Sequence, residues 1–219
     1  MLLAPQKSPG CSIYLITPLL SAENGDAFAR VFAEVVEAAA IACALVRLAP
    51  VTQTDAKAIV APILRAAIAA DCALLIANDG RLAARLGVDG VHVDGAGADL
   101  VAAVESLKPE RIVGAGFLRT RDEAMTAGEM GADYVMFGEP HRGAPTIELQ
   151  LLAERVGWWA EIFETPCVAY ADTIAAAGVL ADAGADFVAP GEAIWGRPSP
   201  SEAARAAQAL LAGVSAKVQ

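Results

Sequence analysis

Five acids follow apolar runs in this sequence: Asp79 after CALLIAN, Asp94 ending GVHVD, Glu139 within YVMFGEP, Asp172 ending CVAYAD and Glu192 ending DFVAPGE. If the chain brings them to one face, that face must bind cations, share protons or hold its charges apart. Each acid alone has a plainer explanation. Buried strands return to solvent through polar residues, and Asp172 beside Thr173 is placed to cap a helix. Convergence of the set is what makes ligand binding the better reading. Arg47 ends ACALVRL and Asn78 precedes Asp79, so both are candidate ligand contacts at the same ends. The chain has two histidines. His92 follows Val91 inside an apolar run and is expected to point inward, as a structural or ligand-orienting group. His141 lies in a loop with Arg142 and Gly143, open between acid–base and structural roles.

Eight short runs rich in Val, Ile, Leu and Ala must position these groups: 12–17, 42–48, 72–78, 90–94, 111–117, 134–140, 167–172 and 186–192. They read as strands buried on both faces. Helical periods fill 24–40, 54–70, 80–86, 97–107, 120–130, 147–164, 173–183 and 200–213. Start signals include Thr54 before Asp55, Thr120 before Asp122 and Glu123, and Ser199-Pro200 before Ser201 and Glu202. The alternation predicts an α/β fold, a single (β/α)8 TIM barrel with eight parallel strands over residues 1–219, with 1–10 a loose N-terminal segment. A doubly wound open sheet is the alternative, but no G-x-G-x-x-G follows the first run.

An internal echo favours the barrel. GVDGVHVD from Gly87, GADYVMFGE from Gly131 and GADFVAPGE from Gly184 share a helix-ending glycine, an aspartate, an apolar strand and a final acid. They precede strands four, six and eight, a step of two βα units. In a barrel the strands' carboxyl ends form the working face, which collects Arg47, Asn78, Asp79, His92, Asp94, Glu139, His141, Asp172 and Glu192.

Composition narrows the partners. The chain is 56% hydrophobic, 19% charged and carries a formal net charge of -10. That balance argues for a packed domain and against general affinity for nucleic acid or an anionic membrane. Glu34, Glu37, Asp172 and Asp182 break the longest apolar stretches, so no bilayer span is expected. MLLAPQKSPG does not resemble an export signal, and a cytoplasmic location is expected. Cys11, Cys43, Cys72 and Cys167 show no paired ligand spacing and read as buried free thiols. Trp158, Trp159 and Trp195 are open between core packing and an interface.

From LLIANDGRLAARLGVDGVHVDG (74–95) outward, through IYLITP, GADYVMFGEP and TPCVAYADTIAAAGVLADAGADFVAPGEAIW, the sequence resembles the thiamine phosphate synthase and TenI family. The likeness covers about the whole chain. It implies the barrel, a small-molecule ligand at its C-terminal face, and a transferase that joins a pyrimidine methyl pyrophosphate to a thiazole phosphate. It also implies magnesium holding the leaving pyrophosphate, with Asp79 matching one metal ligand; Asp94 or Asp99 takes the second ligand's place only if the loop after the fourth strand shifts, and homo-oligomerisation is left open.

The sequence departs from the family where charge is handled. Arg47 takes the place of a glutamine in a Gln-x-Arg-x-Lys run, with Ala49 and Val51 at the basic positions. Gly116 replaces a small hydroxyl residue, Leu118 replaces the histidine of TenI-type tautomerases, and EPHRGAPT (139–146) has no lysine. Asp172 and Glu192 fall where family members cradle the thiazole phosphate with backbone amides. A carboxylate ~4 Å from a phosphate charge costs on the order of 4 kcal/mol at an effective dielectric of 20, about three decades in affinity. Glu192 is therefore expected either to accept those amides itself or, with Asp172, to bind a cation. Three readings follow: a synthase with a rearranged site, a divergent paralogue binding a cationic or unphosphorylated molecule or metal, and a non-catalytic regulatory barrel.

Overall fold

Both faces of each strand are apolar because each strand is covered twice, by the barrel interior and by a ring of helices. A computed structural model describes residues 10–140 and 147–215. The strands are β1 (Ser12–Leu20), β2 (Ile41–Leu48), β3 (Ala73–Ala77), β4 (Gly90–Asp94), β5 (Ile112–Gly116), β6 (Tyr134–Phe137), β7 (Cys167–Tyr170) and β8 (Phe187–Ala189). All pair in parallel in chain order, and β8 closes on β1. The helices between them are α1 (Gly25–Ala38), α2 (Gln53–Ala69), α3 (Gly80–Leu86), α4 (Ala98–Leu107), α5 (Arg121–Glu129), α6 (Leu149–Ile162) and α7 (Ile174–Asp182). After β8 come α8 (Gly191–Trp195) and α9 (Pro200–Ser215). The expected TIM barrel is the fold. The segment expected to be loose, 1–10, falls outside the described residues but for Gly10.

The echo has a structural meaning at each end of its strands. Gly87, Gly131 and Gly184 hold positive φ of 73°, 94° and 102°, the left-handed conformation that ends a helix at little cost for glycine. The aspartates two residues on are latches across the amino-terminal rim. Asp89 accepts the Leu74 amide at 2.7 Å, Asp133 that of Val113 at 2.8 Å and Asp186 that of Cys167 at 2.9 Å. Each thus ties an even strand to its odd predecessor. Asp133 is further paired with Lys108 at 2.7 Å. The closing acids Asp94, Glu139 and Glu192 are carried to the opposite rim.

Several boundaries differ from expectation. β1 runs on to Leu20, and its register slips against β2 between Ile16 and Leu19. The cap of α2 is Thr52, which accepts the Asp55 amide, rather than Thr54. Thr173, not Asp172, caps α7. β8 stops at Ala189, because Pro190 starts the five-residue α8, whose Ile194 amide bonds back to the Pro190 carbonyl. The capping box of Thr120 and Glu123 is as expected.

All four cysteines are free, and Cys43, Cys72 and Cys167 are buried. Burial pushes the Cys11 and Cys72 thiols up to about 12 and raises Cys43. Thiols held protonated react slowly. With dithionitrobenzoate at pH 8, the folded protein is expected to show no rapidly reacting thiol, whereas the denatured chain shows all four. Two fast native thiols would contradict this burial. Because the folded thiols keep protons that the unfolded ones lose from 9.0 upward, folding stability falls as pH rises from there toward about 12.

Candidate functional site

A cavity of about 370 Å³ opens at the carboxyl ends of the strands. It is lined by Arg47, Asn78, His92, Asp94, Glu139 and Glu192 above an apolar floor that includes Ile16, Leu45 and Met136. Six of the nine expected site residues are therefore together.

Each is placed by a local device. The β1 register slip leaves Thr17 fully buried. Its hydroxyl accepts the Arg47 amide at 3.0 Å, and its carbonyl accepts Arg47 Nε at 2.8 Å. Arg47 is thus held by its neck. Asn78 sits at φ 57°, which asparagine tolerates better than most residues. It clamps Asp94 by accepting its amide at 2.9 Å and donating to Oδ2 at 2.8 Å.

Below them, His92 is 2% exposed and points inward as expected. Its Nδ1 lies 2.7 Å from the Tyr134 hydroxyl, which lies 2.8 Å from that of Tyr14. Glu139 Oε1 accepts the Phe117 amide at 3.0 Å and lies 3.7 Å from His92 Nε2. Phe117 itself is at φ 52°. Burial raises the Tyr170 phenol, and the nearby charge of Glu192 adds to the rise while Arg47 opposes it. The tyrosine pair was not anticipated from the sequence. Its signal was the small residues of RIVGAGF: a Cβ on Gly114 would lie 2.0 Å from Tyr134 Cζ, and one on Gly116 2.1 Å from Glu139 Oε1.

Three expected residues stand elsewhere. Asp79 caps α3 by accepting the Leu82 amide at 2.8 Å and lines a separate crevice with Val51, Thr52 and Arg85. Asp172 is exposed and does not line the cavity. His141 lies outside the described residues. Glu192 lines the cavity but is exposed, and its side chain accepts no amide among the described residues. Its exposure also screens the repulsion estimated from the sequence.

Magnesium does not find a ready site. Asp94 and Asp79 line different cavities, and among the described residues no group of three His, Cys, Asp or Glu side chains is arranged around a metal. Magnesium is commonly held by one or two carboxylates together with the phosphates it accompanies.

The family model described as thiamine monophosphate synthase matches residues 13–194, from β1 to α8. The chain belongs to that family. A thiamine-phosphate synthase of Rhodospirillum centenum is 37% identical over 197 residues, covering 89% of this chain and 94% of the relative. One from Hyphomonas neptunium is 33% identical over 219 residues, covering 94% and 96%. Thiamine phosphate pyrophosphorylase from Pyrococcus furiosus superposes with a TM-score of 0.80 at 20% identity, covering 95% of this chain and 98% of that one. A 3-hexulose-6-phosphate synthase superposes at 0.73 with 18% identity, which speaks to the barrel alone. Among the described residues, no helix of this family member is long and apolar enough to cross a membrane.

Proposed function

We propose that this protein is a thiamine-phosphate synthase of thiamine biosynthesis, joining a pyrimidine methyl diphosphate to a thiazole phosphate in the mouth cavity. The observation that carries the reading is the family match across the whole barrel, including the strands that bring Arg47, Asn78 and Asp94 to one cavity. Loss of diphosphate leaves positive charge on the ring and negative charge on the leaving group, so the site must stabilise both. Arg47 is the one cationic side chain among the described lining residues. With Nε tied to Thr17, it presents the rest of its guanidinium to the departing group. The carboxylates of Asp94 and Glu139 face the ring's developing charge, and Asn78 keeps Asp94 oriented. Magnesium, when carried in by the diphosphate, would rest on Asp94 and supply further charge neutralisation.

Purified protein given both substrates and magnesium is expected to form thiamine phosphate, read by oxidation to fluorescent thiochrome. The gene is expected to restore growth to a thiamine auxotroph lacking its synthase. Arg47→Ala should lower turnover roughly a hundredfold, the usual loss for one transition-state donor. No product and no growth from a folded protein would end this reading. It would favour the divergent paralogue for cationic ligands, to which three lining carboxylates against one guanidinium already point. As a small-molecule biosynthetic enzyme the protein belongs in the cytoplasm, and sedimentation velocity would read whether it self-associates.

A further inference from the structure

β1 carries one residue too many where it reaches the mouth. Its pairing with β2 passes from Ile16↔Leu45 to Leu19↔Arg47, three steps on β1 against two on β2. Such a bulge re-aims the backbone beside it. The extra residue falls at Thr17-Pro18, and both polar groups of Thr17 are spent on holding Arg47. Its hydroxyl donates to the Pro18 carbonyl at 2.8 Å, which leaves the oxygen's lone pairs to accept the Arg47 amide at 3.0 Å. Its carbonyl accepts Arg47 Nε at 2.8 Å. Just beyond, the Ala49 amide donates to the Leu20 carbonyl at 2.8 Å and fixes β2 on the other side of the arginine. Because a guanidinium is a rigid planar fork, the bond at Nε sets the direction of the two terminal nitrogens.

What holds the bulge comes from the other end of the chain. β8 has three residues, and its pairing with β1 stops at Ile13↔Val188. A strand that continues past its neighbour leaves backbone groups in need of other partners. At Ile16 a side chain supplies one: Trp195 of α8 donates Nε1–H to the Ile16 carbonyl at 2.7 Å. The indole is steadied by Phe28 of α1, edge-on with ring centroids 4.9 Å apart. The Ile16 carbonyl therefore faces α8, and the next carbonyl along, that of Thr17, faces β2 and Arg47.

We propose that Trp195 is a positioning residue for Arg47, acting through the Ile16 carbonyl and the Thr17 bulge to aim the guanidinium into the mouth. Its effect on turnover rests on the synthase reading, in which Arg47 meets the departing diphosphate. The aiming itself does not rest on that reading.

Trp195→Phe tests it, since phenylalanine keeps a ring against Phe28 and removes the N–H. Thiamine phosphate formation is expected to fall about tenfold, within the loss that a displacement of about 1 Å can cause from a distance. In an Arg47→Ala background the same substitution should cost less than about twofold, because the group it aims is gone. Losses that multiply would make Trp195 merely structural and overturn the proposal. A second readout needs no turnover. In the wild type the Arg47 Nε–H resonance is expected to exchange slowly with solvent, and in Trp195→Phe roughly tenfold faster, as a loosened hydrogen bond opens more often. If the wild type forms no thiamine phosphate, the synthase reading falls and this readout still judges the aiming. Unchanged Nε–H exchange in a folded Trp195→Phe protein overturns the proposal. Should the variant not fold, the wild type decides: rapid exchange of either the Trp195 indole N–H or the Arg47 Nε–H is equally fatal.

Discussion

Gly114→Ala is expected to lower stability by about 3 kcal/mol, the upper end of ordinary overpacking, and to dismantle the cavity floor. The added Cβ would lie 2.0 Å from Tyr134 Cζ, 2.2 Å from Cε1 and 2.4 Å from the hydroxyl. The ring cannot swing aside cheaply. It is 3% exposed, bonded to His92 and Tyr14, and packed edge-on against Tyr14 with centroids 5.7 Å apart. For a chain of this size about 3 kcal/mol corresponds to a drop of roughly 6 to 12 °C in the melting temperature. Adding Tyr134→Leu, which withdraws the ring, should return part of the loss, a coupling that a double-mutant cycle measures. A Gly114→Ala protein melting within about 2 °C of wild type would show that the Tyr14–Tyr134–His92 arrangement does not depend on that glycine.

The glycine behind Tyr134 is only half legible in the sequence. The periodic alternation of apolar runs and helical stretches marked every strand, because burial on two faces leaves a continuous apolar signature. The echo marked the closing acids, and the structure brings Asp94, Glu139 and Glu192 to one rim. What the sequence could not show was which way each polar group faces. Asn78 and Asp79 are adjacent, yet Asn78 lines the mouth and Asp79 caps α3 over a neighbouring crevice. A strand end places consecutive side chains on opposite sides, and the competition between capping and ligand binding is settled by the following helix. The same competition acts beside Asp172, where Thr173 takes the cap and the aspartate is exposed. α8 was hidden because Pro190-Gly191 reads as a break, although proline suits the start of a helix as well as the end of a strand.

The charge of Glu192 also looks different once its surroundings are known. From the sequence it stood for a carboxylate inside a phosphate cradle. In the structure it is an exposed side chain on the cavity rim, near Tyr170 and Arg47, and water moderates its field. The deeper acid is Glu139. The mouth therefore separates an outer, screened acid from an inner, buried one, whose charge interacts through a lower effective dielectric.

Trp159→Ala is expected to cost about 3 to 5 kcal/mol, the range for deleting a large buried aromatic, and so to lower the melting temperature by roughly 10 °C. Trp159 is fully buried and donates Nε1–H to the Thr165 carbonyl at 2.7 Å. It stacks on Phe163 at 4.1 Å and 17° and meets Phe137 edge-on at 5.7 Å. Trp158 is half-buried beside it, with the Arg121 guanidinium 4.5 Å above its ring, and Trp195 donates to the Ile16 carbonyl and packs on Phe28. All three tryptophans thus pack within the chain, and the loss in Trp159→Ala should not vary with protein concentration, as an interface residue's would. The consequence reaches the mouth. Phe137 ends β6 two residues before Glu139, and the intervening Gly138 presses so closely on Leu152 of α6 that a Cβ would lie 2.6 Å from it. Removing the indole frees Phe137 and loosens the turn that delivers Glu139. Calorimetry of melting alongside the Phe117 amide resonance, which reports on Glu139, separates the two effects. A folded Trp159→Ala protein whose Phe117 amide resonance matches wild type would mean that Glu139 is held by the Phe117 amide alone rather than by the packing of α6 against β6.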